Sequence, residues 1–473
     1  MVWPDEDFRY EAPVPGPKPE VHIPQITTFT MEGGVDVYLV ERDRLPTVSL
    51  SLSIPTGSVA DPAGKRGLAG ICSDLIEQGT KRLDKPAWEA AKADLASSVY
   101  SYADSETLGF GLSSLHRNFE ASADLMFEMI ESPGMRERDL ERLRAQRKAN
   151  LTQNKAAPGS LGQRLWRSVV YGPEHPYGAL TTEAQYDAIK VKDCEKHLAR
   201  LGPAGAHLFV AGATNETEIR RIFEARLAKL AVDRRGKPKA PPKVDIPEPA
   251  PRPGTIFFVD VPGAAQSQLY VGHPGPDRTA DDYAATRLMA AVLGGGFSSR
   301  INMNIRENKG YAYGARAGFS YRKKGGSFAA SSSVRTDATI DALREIVGEI
   351  RRIREAPVEP EELDRERDGT LLGLPAQFST AQRVRGTYAT LVFHGLPLDW
   401  YEGFQARVRQ STPAQLEAAA RKHLREDGFK VLVVGDGAQV RAGLQQLASD
   451  AKLFGGEGFV ELDGDGNVVG GAS

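Results

Sequence analysis

Apolar and polar positions follow two periods along this chain, and the order in which the periods appear is repeated. Residues 48–54 read Val-Ser-Leu-Ser-Leu-Ser-Ile, the period of two expected of a strand with one buried face. Residues 35–40, 99–102 and 108–115 read as further strands, with a break at 43–46. Apolar spacing predicts helices over 67–78, 86–96, 119–130, 135–154 and 161–171. The order then recurs. Strands are predicted at 255–260 and 266–273, and helices at 281–293 and 299–307. A hairpin is predicted from 313–321 and 327–334, across a turn at 323–326. Helices over 339–354, 359–372, 380–393 and 413–424 follow, and a strand at 429–434 closes the second half.

Strands and helices are grouped rather than strictly alternating. That predicts an α+β fold of two homologous, duplicated domains, each an antiparallel-rich sheet with helices on one face. Between residues 232 and 254 stand Pro238, Pro241, Pro242, Pro247, Pro249, Pro251 and Pro253. Such a stretch forms an extended, semi-stiff connector. The predicted division is an N-terminal extension (1–24), a first α+β domain (25–231), a linker (232–254), a second α+β domain (255–455) and a mobile tail (456–473) rich in Gly, Asp and Glu.

Composition narrows the functional classes. Of 473 residues, 41% are hydrophobic and 26% charged, with a formal net charge of −2. Sizeable cores can be buried, but no long basic run stands out, which argues against nucleic acid or an anionic membrane as the main partner. No apolar run approaches the roughly 18 residues of a membrane span. Two cysteines, Cys72 and Cys194, make neither a disulfide framework nor a zinc ribbon in a chain of this length, and read as small buried apolar residues. The proline-rich N-terminus lacks the basic-then-apolar pattern of a signal peptide. If the chain is exported, its signal has already been removed from this sequence; otherwise the expected location is cytoplasmic.

No two of the eight histidines, at 22, 116, 175, 197, 207, 273, 394 and 423, lie at helical ligand spacing. His175, in His-Pro-Tyr-Gly, reads as part of a turn. Asp74 and Glu77 share a helix face and read as a solvated or hydrogen-bonded acidic pair rather than a hard-cation site. The chain is expected to carry no metal.

Two segments resemble the pitrilysin/insulinase family of zinc peptidases. The first is Gly67-Leu-Ala-Gly-Ile-Cys-Ser-Asp-Leu-Ile-Glu-Gln-Gly-Thr80. It is similar, flanks included, to the family segment that carries the inverted zinc motif H-x-x-E-H. In that motif two histidines bind zinc and the glutamate is general base to the metal-bound water. Here Gly70 stands at the first histidine, Ser73 at the glutamate and Asp74 at the second histidine. Asn150 aligns with the family's third ligand.

The second segment runs from Gly294-Gly-Gly through Ser299-Arg300 and Arg306-Glu307 to Gly310-Tyr-Ala-Tyr313. It resembles the family's second-domain signature, in which an arginine and a tyrosine seven residues apart bind the scissile peptide. The resemblance assigns those roles to Arg306 and Tyr313. Their chemistry suits the task, since a fixed guanidinium and a phenol can stabilise an oxyanion by hydrogen bonding. Read from the residues alone, Arg306 could instead pair with Glu307, and Tyr313 could be a half-buried strand aromatic.

The resemblance spans roughly residues 27–447 and implies a non-catalytic subunit, inactive alone. It implies a homologous H-x-x-E-H partner holding the zinc, two such chains enclosing a chamber, and flexible peptides bound partly by strand addition as substrate. A purely structural relative and a lone peptide-binding protein remain the other two readings.

Overall fold

The computed structural model describes Glu6, Phe8, Tyr10 and residues 21–203, 205–233, 236, 237, 239, 244–249, 254–425, 428–450 and 458–469. The first half runs β1 (Thr27–Met31), β2 (Val35–Glu41), β3 (Thr47–Ile54), α1 (Leu68–Ile76), α2 (Lys85–Asp94), β4 (Ser98–Ala103) and β5 (Leu108–Leu115). It continues with α3 (Phe119–Glu131), α4 (Glu137–Ala156), α5 (Pro158–Tyr171), α6 (Glu183–Ala188), α7 (Val191–Arg200), β6 (His207–Gly212) and α8 (Glu216–Leu230).

The second half repeats that order: β7 (Thr255–Asp260), β8 (Gln266–Gly275), α9 (Tyr283–Gly294), α10 (Arg300–Asn302), β9 (Ala312–Ser320) and β10 (Gly326–Arg335). Then come α11 (Thr339–Glu355), α12 (Pro360–Gln377), α13 (Ala381–Phe393), α14 (Trp400–Gln410), α15 (Pro413–His423), β11 (Lys430–Gly435), α16 (Gly437–Ala448) and β12 (Phe459–Glu461).

The strands form two six-stranded sheets, ordered β1-β2-β6-β3-β5-β4 and β12-β7-β11-β8-β10-β9. Pairings are mostly antiparallel. The exceptions are β2 with β6 and β7 with both β11 and β12, which are parallel. From β2 and β7 onward the two sheets place equivalent strands in equivalent positions. The fold is thus α+β and duplicated, as the grouping of the periods implied.

Period-two alternation then decides what each sheet face meets. On β3, Val48, Leu50, Leu52 and Ile54 enter the core of the first half, while Ser49, Ser51 and Ser53 point the other way. On the second sheet, Ile256, Phe258, Val431 and Val433 enter one core, and Val259, Leu432 and Val434 enter another. These second faces are covered by helices exchanged between the halves. Helix α5 lays Leu161, Leu165, Trp166 and Val169 on the second sheet, with Trp166 stacked on Tyr270 at 5.1 Å. Gly162 permits that approach, because a Cβ there would lie 2.9 Å from both Gln268 and Tyr270. Reciprocally, α13 lays Val384, Tyr388 and Leu391 against Val40, Phe209 and Ala211 of the first sheet. The Arg385 guanidinium donates to the Leu50 carbonyl at 2.9 Å.

Two features differ from expectation. Cys72 on α1 and Cys194 on α7 form a disulfide, Cα–Cα 5.2 Å, closing a separation of 122 residues. The pairing could not be read from two distant cysteines, because it depends on α1 packing against α7. The tail is structured over residues 458–469. There β12 adds in parallel to β7, Leu462 is buried, and Lys155 donates to Asp465 at 2.8 Å. Only three residues form that strand, too few for a periodic signal, and the neighbouring Gly and Asp residues make its turn. Residues 451–457 and 470–473 lie outside the described residues, as does most of the expected 1–24 extension. Of the linker, Pro247 is fixed by His175, whose Nε2 donates to its carbonyl at 3.0 Å while Nδ1 accepts from Tyr177 N–H. That turn role is the one the sequence suggested.

Two expected outcomes follow from the exchange. Leu391→Ala removes a fully buried side chain from the α13 contact and is expected to cost about 2–5 kcal/mol, measured by denaturant unfolding. At the end of α13, burial first, and then Arg278 and Lys323, push the His394 imidazole down from 6.5 to about 4. Between those values the unfolded chain binds more protons than the folded one. Stability is therefore complete above the higher value and is lost as pH falls toward the lower. His394→Gln should flatten this part of the stability–pH curve.

Candidate functional site

Helix α1 begins where Asp61 accepts hydrogen bonds from the amides of Gly67 (2.8 Å) and Ala69 (3.0 Å). Burial pushes the Asp61 carboxyl up to about 6, against the downward pull of those amides. The helix carries the positions that correspond to the zinc motif. Gly70 leaves open space, with nothing within 4 Å of where a Cβ would stand. Ser73 Oγ lies 2.7 Å from Ser101 Oγ on β4. Asp74 is ion-paired with Arg147 of α4, whose Nε donates to its carboxylate at 3.0 Å.

Arg147 and Asn150 sit one turn apart on α4 and both line a cleft of about 290 Å³, shared with Asp74, Glu77 and Gln78. A guanidinium thus supplies positive charge where the family motif would supply a dication. Arg147 is the residue that sequence reasoning missed. Helix α4 is charged nearly all round, so nothing singles this arginine out without the fold.

Asp74 and Glu77 do not converge on one point. Glu77 accepts the Ser101 amide of the outermost strand β4 at 2.6 Å, and burial raises its carboxyl above the usual range. Among the described residues no group of three or more His, Cys, Asp or Glu is arranged to hold a metal ion. The donor set left at the motif positions, one glycine, one serine, one arginine-bound aspartate and one asparagine, does not fit zinc.

The second segment is built differently. Gly294 ends α9 against β9, where a Cβ would stand 2.2 Å from the Ala317 nitrogen. Ser299 Oγ donates to the Gly296 carbonyl at 2.6 Å. Asn302 donates to Phe297 O at 2.6 Å and accepts from Ala315 N–H at 3.1 Å, joining the glycine turn to β9. The Arg300 guanidinium is held by Glu362 of α12, Nε–Oε1 2.8 Å. The helix predicted over 299–307 is only briefly α-helical. It widens to a π-helical turn over Met303–Asn308, a distortion frequent at functional positions.

Arg306 lies on that turn. Tyr313 lies on β9 beside a bulge, where the register with β10 shifts between Ser332 and Val334. A bulge re-aims side chains, and here the structure brings the two predicted residues together. The Arg306 guanidinium stands 5.0 Å from the Tyr313 ring centre and 4.7 Å from that of Phe297. Its Nε pairs with Glu307 at 3.0 Å, which was the alternative partner. Tyr313 is 88% exposed and Phe297 60%, so the tyrosine is not half-buried. Among the described residues the Tyr313 hydroxyl has no hydrogen-bond partner. Phe297 had no sequence signal beyond its place in the glycine turn.

Comparison with known proteins gives these two segments a common context. Residues 37–169 match the family Insulinase (Peptidase family M16), and residues 196–370 match the Peptidase M16 inactive domain. The chain is 22% identical over 410 residues to a non-peptidase homolog, YmxG, of Helicobacter pylori, covering 85% of this chain and 92% of that protein. It is 22% identical over 422 residues to an uncharacterized zinc protease of Streptomyces coelicolor, covering 85% and 88%. The fold is shared with a peptidase M16 inactive domain from Pseudomonas fluorescens, TM-score 0.79 and 24% identity, covering 87% of this chain and 98% of that one. With both halves matched to one family, this chain is a member of the M16 peptidase family, one whose motif positions on α1 do not fit zinc.

Proposed function

We propose that this chain is the non-catalytic subunit of a two-subunit zinc metallopeptidase. Its partner is a homologous chain with an intact H-x-x-E-H motif, and Arg306 and Tyr313 complete that partner's site. The observation that carries this reading is the exposed Phe297–Arg306–Tyr313 cluster, set on rigid elements with donors left over.

In such a site the zinc of the partner supplies the activated water. This chain's part is to hold the scissile peptide. The guanidinium and the phenol would donate to the carbonyl oxygen as negative charge develops on it, or to the adjacent peptide backbone. Stacking on Phe297 and Tyr313 restrains Arg306 before substrate arrives, which lowers the ordering cost of binding. Flexible peptides and unfolded segments are the expected substrates. The Cys72–Cys194 disulfide supports an oxidising compartment such as a periplasm. Among the described residues no helix is long and apolar enough to cross a membrane.

The test is peptide cleavage by the chain alone and mixed with its homologous partner. Alone it should be zinc-free and silent. In the mixture, Arg306→Ala should lower kcat by about 10²–10³ with little change in thermal stability, and Tyr313→Phe should lower it in the same direction. Full cleavage by a doubly substituted Arg306→Ala, Tyr313→Phe complex would leave the chain a scaffold. Failure to recover any H-x-x-E-H chain with it from its native source would favour solitary peptide binding.

A further inference from the structure

A second concavity lies in the first half; it touches the end of α1 at Ile76 but none of the motif positions Gly70, Ser73 and Asp74, and it owes nothing to the reading of Arg306 and Tyr313. It has a volume of about 840 Å³ and opens between the ends of α3 and α8 and one face of α7. That size falls within the range of sites that bury most of a small organic ligand. Its floor is the side of the core itself, including Leu52, Ile54 and Phe110, and its walls include Ile130, Leu198 and Leu230.

The rim has the opposite character. Lys81, Lys192, Lys196, Lys229 and Lys239 surround the opening, against only Glu131 and Glu195. Lys229 is paired with Glu131 at 3.0 Å, and Lys239 donates to the Leu201 carbonyl at 3.1 Å. Among the described residues Lys81, Lys192 and Lys196 form no ion pair. Lys192, Glu195, Lys196 and Ala199 recur at three- and four-residue spacing on α7, so one helix face is turned to the opening. That helix is fixed to α1 by the Cys72–Cys194 disulfide. At the lip, Met135 holds a left-handed backbone, φ 44°, a conformation that a non-glycine residue keeps only where its surroundings impose it.

We infer that this groove binds a single-chain anionic amphiphile, a long-chain fatty acid. The acyl chain would lie along the aliphatic and aromatic floor, and the carboxylate would sit among the α7 lysines. A peptide is the poorer fit, because its backbone amides would be drawn over apolar side chains that offer them no hydrogen bonds. An acyl chain carries no such groups, and each buried methylene contributes about 0.8 kcal/mol. A neutral lipid would leave the ring of lysines without a counter-charge.

The test is a titration of the full chain with a fluorescent long-chain fatty acid below its micelle concentration, followed by displacement with unlabelled oleate. Saturable binding near one per chain is expected, with methyl oleate displacing at least tenfold more weakly. Lys192→Glu with Lys196→Glu, both exposed and on the helix surface, should weaken oleate at least tenfold while the thermal transition is unchanged. Equal displacement by acid and ester, full affinity in the charge-reversed variant, or no saturable binding would overturn the inference. So would capture of an acidic, apolar peptide that oleate does not displace.

Discussion

The exchange of α5 and α13 is the contact on which the rest of the architecture depends. The second sheet is apolar on both faces, the first carries an apolar patch of Val40, Phe209 and Ala211 on its second face, and each half covers only one face with its own helices. The other face stays buried only because a helix from the opposite half lies on it. Exposing either face would uncover aromatic and branched aliphatic side chains at about 25 cal/mol per Å². The halves are therefore folded as mutual covers, and the sheet edges, loops and turns that carry chemistry are positioned relative to that shared interior.

Against this frame the two motif regions have opposite electrostatic characters. On α1 and α4 charge is closed upon itself. The Asp74 carboxylate has its guanidinium, Glu77 has the Ser101 amide, and Gln78 accepts from Arg142 at 2.6 Å. Around Arg306 charge is displayed. Glu307 pairs with the guanidinium through Nε, the rings of Phe297 and Tyr313 lie beside it, and the Tyr313 side chain is largely exposed. One region has its hydrogen-bonding capacity satisfied within the chain, and the other holds some of it in reserve. This contrast, more than the absence of ligands alone, separates the two regions.

Legibility in the sequence followed the strength of local signals. Strand β3 could be read because its serines and aliphatics alternate without a break, and the β9–β10 hairpin because a Lys-Lys-Gly-Gly turn separates its strands. Strand β6 could not. Its Leu-Phe-Val-Ala run is apolar on both faces because it is a central strand covered on both sides. Helices α7 and α8 were missed as well, and with them the disulfide. Arg306 and Tyr313 were placed by resemblance. Their proximity, though, is produced by a π-turn and a bulge, neither of which has a signature in residue order. Arg147 lay out of reach because its role exists only across two helices.

That arginine also bears on the history of the chain. A guanidinium is charged at every pH a protein survives, so it neither leaves nor yields its place to a metal by titration. A single reversion at Gly70, Ser73, Asp74 or Asn150 would add a ligand or a base to a cleft that already holds a fixed cation. A reversion at Asp74 alone would strand that cation without its counter-charge. A zinc centre of the family pattern would need several of these positions changed together, and this ion pair dissolved with them.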